Sequence, residues 1–456
     1  MSTFHLINFG CRASHADGAA IKKQLMVKGF REANAEASDV AVLNTCTVTA
    51  TADAEVRQVI RRIHRANPDC RILVTGCYAQ RAADEIAKLP GVAWVIGNSH
   101  KHTLVQILSG DTGSAIPADG LTSPETPPTG FDTPLAEGEP ERAQPVVLVG
   151  EIGETFHFAP VFGDDRTRPT LKIQDGCNAR CSFCVIPHVR GESRSMEPDK
   201  VIEQVRELEQ NGYQEIVLSG INLGSYGRDL GRRINFLGMV ERILSETPIP
   251  RLRISSIEPM DVSRELIELV ANEPRMAHHF HVPLQSGSNR ILRLMNRRYW
   301  TTQYAERILA IRERMPGCAI GADVMAGFPG ETEGDHAESL RFIESLPFTY
   351  LHVFPYSARP GTPAAASTGQ VDGRRIHERV REMKSMIAAK RGRFLQRQIG
   401  QRLSAVVLHK VHDGTPMALS SNYLKILLPG SAAAPNTLLD VAIGRVFDGT
   451  LVGRPS

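Results

Sequence analysis

Cysteine and tryptophan are both scarce, at 8 and 2 of 456 residues, and aromatics together make up only 6%. Eight thiols in so long a chain are far too few for a disulfide-stapled secreted scaffold. Long apolar runs are missing too: none reaches the roughly 18 residues that a spanning helix needs, so no membrane association is expected. The opening MSTFHLINFGCR has no basic stretch followed by an apolar one, which argues against a secretory leader. Excess charge is absent as well. Lys and Arg total 53 against 50 Asp and Glu, a net +3 that by itself gives no hint of a nucleic-acid partner. With 42% hydrophobic and 23% charged residues the mixture is that of ordinary globular domains. A soluble, cytoplasmic protein of about three domains is expected.

What is present is a repeating strand–helix rhythm. FHLINFG, VAVLNT, RILVTG and VAWVIG are short apolar runs separated by helix-like segments, the pattern of a parallel α/β sheet. The rhythm breaks over residues 111–145, where seven prolines and seven acids accompany a single basic residue, Arg142. Such composition suits a linker. It resumes near 168 with TLKIQ, EIVLSG, RLRISS, HHFHVPL, AIGADVMAG and YLHVFPY, six units that suit a partial or full β/α barrel with its chemistry at the carboxyl ends of the strands. Beyond a long basic helix near 372–398, residues 400–455 show short strands and Gly/Pro turns, the marks of a small β-barrel.

The strongest local signal is Cys177-Asn-Ala-Arg-Cys181-Ser-Phe-Cys184, directly after the strand TLKIQ. Structural zinc almost always takes four protein ligands, and no fourth Cys or His at the usual spacing completes this set. Three thiolates holding a 4Fe–4S cluster leave one iron open to another ligand. Buried cysteines acting as small hydrophobes fit poorly among Asn, Arg and Ser. Cys11, Cys46 and Cys77 each follow an apolar strand, so parallel strands would bring them to one rim, either as a second cluster or as core thiols. Cys70 and Cys318 read as unligated.

The CxxxCxxC after the first barrel strand resembles the radical S-adenosylmethionine signature. Together with NTCTVT, VTGCYAQ, VLSGINLGSYG, RISSIEP, HVPLQSGSNRIL, VMAGFPGE and PYSARPGTPA, it makes the chain similar to the radical S-adenosylmethionine methylthiotransferase family. The wording of KIQDGC, SGINLGSYG and SSIEP is most similar to the branch acting on threonylcarbamoyladenosine in tRNA. The first motif, NFGCRASHAD, departs from the family at Arg12 and Ser14 but keeps Cys11. The resemblance implies an α/β chain of four parts: an amino-terminal parallel α/β domain (1–110), the linker (111–150), a central radical partial β/α barrel (151–398) and a TRAM-like β-barrel binding RNA (399–456). It implies two 4Fe–4S clusters, one on Cys177, Cys181 and Cys184 and one on Cys11, Cys46 and Cys77. S-adenosylmethionine would meet Gly220, Asn222, Ser256, Glu258, Gln285, Gly327 and Glu331 at the strand ends. The implied reaction inserts a methylthio group at carbon 2 of a modified adenosine at position 37. Its partners would be a tRNA anticodon stem-loop, an electron donor and a sulfur source.

Residues 372–402 carry ten basic residues against three acids, a local +7 suited to phosphate. Arg374, Arg375, Lys390, Arg391 and Arg393 are its candidate RNA contacts. Arg57, Arg61, Arg62 and Arg65 are a weaker second patch, and Tyr423 and Phe447 could stack on bases or fill the barrel. The alternatives left open are a methylthiotransferase acting on isopentenyladenosine in tRNA or on a ribosomal protein, a radical enzyme with one cluster, and a non-catalytic RNA-binding protein with structural metal.

Overall fold

A computed structural model describes residues 2–110, 144–153, 167–231 and 234–456, so the linker expected over 111–145 falls almost wholly outside the described residues. The chain divides into two compact units. The first holds Met1–Pro160, Gly176–Asn178 and Val185–Glu192, and the second Val161–Asp175, Ala179–Cys184 and Ser193–Ser456.

In the first unit β1 (Thr3–Asn8), β2 (Arg31–Glu32), β3 (Val40–Thr45), β4 (Arg71–Gly76), β5 (Val92–Ile96) and β6 (Val146–Leu148) form one sheet in the order β2-β1-β3-β4-β5-β6. Every pairing is parallel. VAVLNT is buried at every position because both faces are covered. Val40 and Val42 pack with Leu25 and Leu104 on one side, and Ala41 and Leu43 pack with Val56 and Ile60 on the other. β6 lies inside the 111–150 range read as linker, yet it pairs with β5 and extends the sheet. Three residues carry too little periodicity to announce a strand. The chain runs from β1 outward to β2 and then back past β1 to β3, and this reversal opens a crevice at the carboxyl ends of β1 and β3.

The second unit begins with β7 (Thr170–Lys172), followed by the short antiparallel ribbon of β8 (Gln174–Asp175) and β9 (Arg194–Ser195). Five more strands follow: β10 (Ile216–Ser219), β11 (Leu252–Ile254), β12 (His279–His281), β13 (Ala319–Ala326) and β14 (Tyr350–Pro355). β7, β10 and β11 form one parallel triplet, and β12, β13 and β14 another. The triplets join where Ser256 bridges His281, with Ile257 N–H donating to the His281 carbonyl at 3.0 Å. Among the described residues β14 does not pair back to β7, so the six strands make a partial barrel. The helices between them present apolar stripes inward, as Val201, Ile202, Val205 and Leu208 do on Pro198–Gln210.

The last five strands, β15 (Arg402–His412), β16 (Thr415–Ser420), β17 (Lys425–Leu427), β18 (Leu438–Phe447) and β19 (Thr450–Pro455), close into a barrel in the order β15-β16-β17-β19-β18. Closure removes the free edges that short antiparallel strands would otherwise expose. The barrel is bolted to the amino ends of the core strands. Arg253 donates to the carbonyls of Ser421 (2.9 Å) and Ser420 (3.0 Å), and Asn436 Nδ2 donates to Gly212 O at 2.8 Å. Asn422 Nδ2 reaches Gly317 O at 3.1 Å. Arg253 also holds the fully buried Glu215 at 2.6 Å, with Arg168 on the same carboxylate at 3.1 Å.

Candidate functional site

In the first unit the register places Asn8 beside Asn44, and Asn44 beside Thr75, in a row at the carboxyl ends of β1, β3 and β4. Cys11, Cys46 and Cys77 come just after that row, as expected from the parallel pattern. Cys11 sits at the start of the helix Arg12–Val27 and is exposed, whereas Cys46 and Cys77 are buried. Glycine makes the convergence possible. Gly10 has φ +91°, and a Cβ there would lie 2.2 Å from Cys46 Cβ and 2.6 Å from its Sγ. Gly76, at φ +97°, would put its Cβ 2.4 Å from Thr45 O. Both turns tolerate only the residue with no side chain. Burial, then the neighbouring Cys77 and Cys11, push the Cys46 thiol up to about 12. Cys77 and Cys11 thus stand near enough to Cys46 for their charge to disfavour its thiolate, and a nearby cation would favour it.

Positive charge is built in. Arg190 Nε donates to Cys77 Sγ at 3.2 Å, and Asn98 Nδ2 reaches the same sulfur at 3.5 Å. Arg190 is 2% exposed and pairs with Asp17 at 3.0 Å, where Lys101 also binds at 3.1 Å. Lys101 further donates to Asn44 Oδ1 at 3.3 Å, which ties the network to the strand end. None of Asp17, Asn98, Lys101 or Arg190 was singled out from the sequence. The one available signal was Arg190 in HVRG, a basic residue six positions after the last cysteine of the thiol run.

Cys177, Cys181 and Cys184 occupy the segment between β8 and the helix Ile186–Arg190, all three partly buried. In the second unit this loop is stapled to residues 294–297. Ser182 N–H donates to Met295 O at 3.0 Å, Ser182 Oγ to Leu294 O at 2.7 Å, and Asn296 Nδ2 to Arg180 O at 2.6 Å. Arg297 Nη1 donates to Cys181 Sγ at 3.4 Å, while its other end pairs with Glu258 and its Nε meets Tyr299 Oη at 3.2 Å. Arg297, like Arg190, was not foreseen, because its partner lies 116 residues away.

The proposed cofactor contacts lie at the carboxyl ends of β10 to β13. A Cβ on Gly220 would fall 2.7 Å from Gln174 Oε1, the same oxygen that accepts from Asn222 N–H at 2.8 Å. Ser256 is exposed, and Glu258 holds Arg297. Gln285 adopts φ +65° and pairs through its backbone with Val324. Glu331 has a task inside the protein: it accepts from Gly327 N–H at 2.6 Å and pairs with the buried Arg379 at 2.7 Å, so it shapes the GFPGE turn.

A second titratable cluster was not read from the sequence. His281 Nε2 and His352 Nδ1 lie 3.0 and 3.3 Å from Asp323 Oδ1, and the Tyr350 hydroxyl joins His281 Nδ1 (3.0 Å) to His279 Nε2 (2.8 Å). Burial alone would raise Asp323, but hydrogen bonds from His281 and His352 hold it well below the usual carboxylate range. Gly321 leaves room for the Tyr350 ring, since a Cβ there would lie 2.0 Å from it. This chain of groups can share a proton or accept a cation.

The candidate RNA residues spread along the helix Gly373–Gln396. Arg374 and Arg375 are exposed at its start, with Arg375 3.7 Å from Glu378. Lys390 donates to Glu344 O at 2.6 Å, Arg393 stands 3.5 Å from the Glu344 carboxylate, and Arg391 is half-buried. Part of the +7 stripe is thus answered by acids from the neighbouring helix. In the other patch Arg57 is taken by Tyr78 (2.6 Å) and Glu85 (2.8 Å), while Arg61, Arg62 and Arg65 are exposed. Tyr423 stacks on His279 with ring centroids 4.4 Å apart and packs against the barrel core, so it wedges the barrel against the core strands. Phe447 is exposed beneath Arg445. Cys70 and Cys318 are buried, Cys70 Sγ beside Ser38 Oγ at 3.7 Å and Cys318 Sγ donating to Ala319 O.

A model of the radical SAM superfamily matches residues 171–343, and one of uncharacterized protein family UPF0004 matches residues 3–97. The chain is 37% identical over 425 residues to a threonylcarbamoyladenosine tRNA methylthiotransferase of Aquifex aeolicus, covering 92% of this chain and 95% of that one. It is 38% identical over 385 residues to the protein of that name from Bacillus subtilis (84% and 80% covered). It is 32% identical over 417 residues to a tRNA-2-methylthio-N(6)-dimethylallyladenosine synthase of Pelotomaculum thermopropionicum (89% and 87%). Among solved structures it is similar to the radical S-adenosylmethionine methyltransferase TsrM from Kitasatospora setae, solved with cobalamin and a 4Fe-4S cluster. The TM-score is 0.55 at 15% identity, with 80% of this chain and 77% of that chain covered. At that identity the likeness is one of fold.

Proposed function

The chain belongs to the radical S-adenosylmethionine methylthiotransferase family, and from that membership we propose that it acts on tRNA, replacing the hydrogen on carbon 2 of N6-threonylcarbamoyladenosine at position 37 by a methylthio group. The observation that carries the reading is the pair of three-thiol sets, each with an arginine N–H directed at one sulfur. The relatives at 37% and 38% identity both bear the threonylcarbamoyladenosine name, which favours that substrate branch, although others of that name, at 29–33%, are level with the dimethylallyl ones at 31–32%.

The thiol sets suit 4Fe–4S clusters. Each offers three sulfurs and no fourth thiol, and each has N–H donors that a metal-bound thiolate would accept. Cys177, Cys181 and Cys184 would hold the cluster that meets S-adenosylmethionine, and Cys11, Cys46 and Cys77 a second one. When bound, these groups supply the radical and the sulfur that an unactivated aromatic C–H demands and that no acid or base side chain can provide. The protein's own residues position. Arg297 anchors Cys181 to Glu258, and Arg190 anchors Cys77 to Asp17, so neither sulfur is free to turn. A one-electron reductant and a sulfur donor are required partners, and a tRNA substrate fits a cytoplasmic enzyme. Among the described residues no helix is long and apolar enough to cross a membrane.

Nucleoside mass spectrometry of tRNA from a deletion strain is the direct test. The expected result is loss of the methylthio derivative of threonylcarbamoyladenosine, with its unmethylthiolated precursor accumulating. Loss of the isopentenyladenosine derivative instead would reassign the substrate, and unchanged tRNA would reject the reading.

Arg297 gives a physical readout. A hydrogen bond to a charged acceptor is worth about 1.5 kcal/mol, and donation to cluster sulfur favours the reduced state. Arg297→Met should therefore lower the midpoint potential of the cluster on Cys181 by roughly 60 mV, the one-electron equivalent of that energy. Redox titration followed by electron paramagnetic resonance measures it. An unchanged potential would mean that the Nη1–Sγ contact carries no electrostatic weight.

A further inference from the structure

The segment that walls the Cys181 loop has a second, outward-facing character. Residues 286–305 contain four arginines and no acid. Two of the four have partners, the exposed Arg290 with Asp335 and Arg297 with Glu258 and Cys181. Arg293 and Arg298 are exposed, as is Arg180 on the cysteine loop stapled to this segment, and among the described residues none of the three has an acidic partner. Between them Trp300, one of only two tryptophans in the chain, is 45% exposed, with the Arg293 guanidinium 5.4 Å from its ring centroid. Leu294, next to Arg293 in sequence, is also 45% exposed. An exposed aromatic set among arginines that have no acidic partner is a surface to which an anionic, stacking ligand is suited.

We infer that Arg180, Arg293, Arg298 and Trp300 form the surface that takes single-stranded loop RNA beside the Cys181 site, with Trp300 stacking on an unpaired base and the arginines meeting phosphates. The inference rests on the tRNA reading above and adds the residues that hold the RNA at the reacting end of the core. Exposed arginines interleaved with an aromatic face are the chemistry that recognises unstacked bases and their backbone. Arg293 is seated over the indole, and the side chain as a whole stays 45% exposed. The helix Gly373–Gln396 is a poorer candidate for this task, because Lys390 and Arg393 lean on Glu344 and Arg379 is buried on Glu331.

The test measures binding of an anticodon stem-loop carrying threonylcarbamoyladenosine, by fluorescence anisotropy over a salt series, with variants compared at equal iron content as a check on folding. Stacking on one base predicts that Trp300→Ala weakens binding roughly tenfold, and that Trp300→Phe restores most of the loss. The double variant Arg293→Ala/Arg298→Ala should flatten the slope of log affinity against log salt by about 1.4, since each single-strand phosphate contact contributes about 0.7. A surface with only a structural role would not change that slope. Wild-type protein that binds the stem-loop no better than its variants overturns this surface. Wild-type protein that binds no stem-loop at all overturns the tRNA reading itself.

Discussion

Replacing Cys181 by alanine is expected to abolish both deoxyadenosine formation and methylthiolation, whereas replacing Cys46 abolishes methylthiolation alone. The two cysteines belong to different thiol sets and, by the fold, to different units. Cys181 is one of three ligands to the cluster proposed to meet S-adenosylmethionine, so its loss stops cofactor cleavage at the source. Cys46 is buried at the end of β3 against Gly10, remote in sequence from that set, and its removal should leave cofactor cleavage running without a productive outcome. Each loss should exceed the 10- to 100-fold typical of removing a residue that merely supports a ligand. Iron in Cys46→Ala should fall from about eight to about four per chain. Chromatographic assay of deoxyadenosine beside nucleoside mass spectrometry separates the two steps. Loss of deoxyadenosine in Cys46→Ala, with the other cluster still loaded, would contradict the division of labour.

Arg253→Met should be the most damaging substitution away from the thiols. Arg253 is a fully buried arginine and holds Glu215, also fully buried, together with two carbonyls of the carboxy-terminal barrel. Arg168 and Arg251 stay beside the carboxylate, but the loss of its main partner, with two hydrogen bonds to Glu215 and two to the barrel, costs on the order of 3 kcal/mol. At 2–4 °C per kcal/mol, melting of the second unit should fall by roughly 10 °C, and limited proteolysis should release the small barrel first. Acid should act on the same strut. Burial pushes the Glu215 carboxyl up, but Arg253 and Arg168 outweigh it and bring it down to about 2. A depressed carboxylate stabilises the fold above its unfolded value near 4.5, and that contribution drains away as the pH falls from there toward 2. The variant should therefore lose less stability than wild type across that window. A wild-type melting temperature in Arg253→Met would sink the account.

The parts of the molecule that could be read in advance are those whose cause is local. β1, β3, β4 and β5 are continuous apolar runs because a doubly covered parallel sheet needs them, and each thiol follows its strand directly. CxxxCxxC lies within eight consecutive residues and needs no tertiary information. What escaped has distant causes. β6 is a strand because β5 offers it an open edge, not because Val146–Leu148 has a period of its own. Arg190 and Arg297 matter through sulfurs 113 and 116 positions away. The basic stripe at 372–402 was legible as charge, but which of its members face an acid depends on Glu344 and Glu331, which lie on other elements. Of the two roles open to Tyr423, packing at the barrel core is the one the structure shows, and that too depends on a residue far away in sequence, His279.

The place where the small barrel is bolted has a geometric consequence. Its fasteners reach Gly212, Arg253 and Gly317, all at the beginnings of core strands, whereas Ser182 and Arg297 stand with the residues at the strand ends. Between those levels lies the height of β13, eight residues or about 25 Å at the rise of a parallel strand. Any nucleic acid gripped at both levels must span that interval, so the core acts as a depth gauge. It would admit a helical stem with a protruding loop and leave a short isolated oligonucleotide held at one level only.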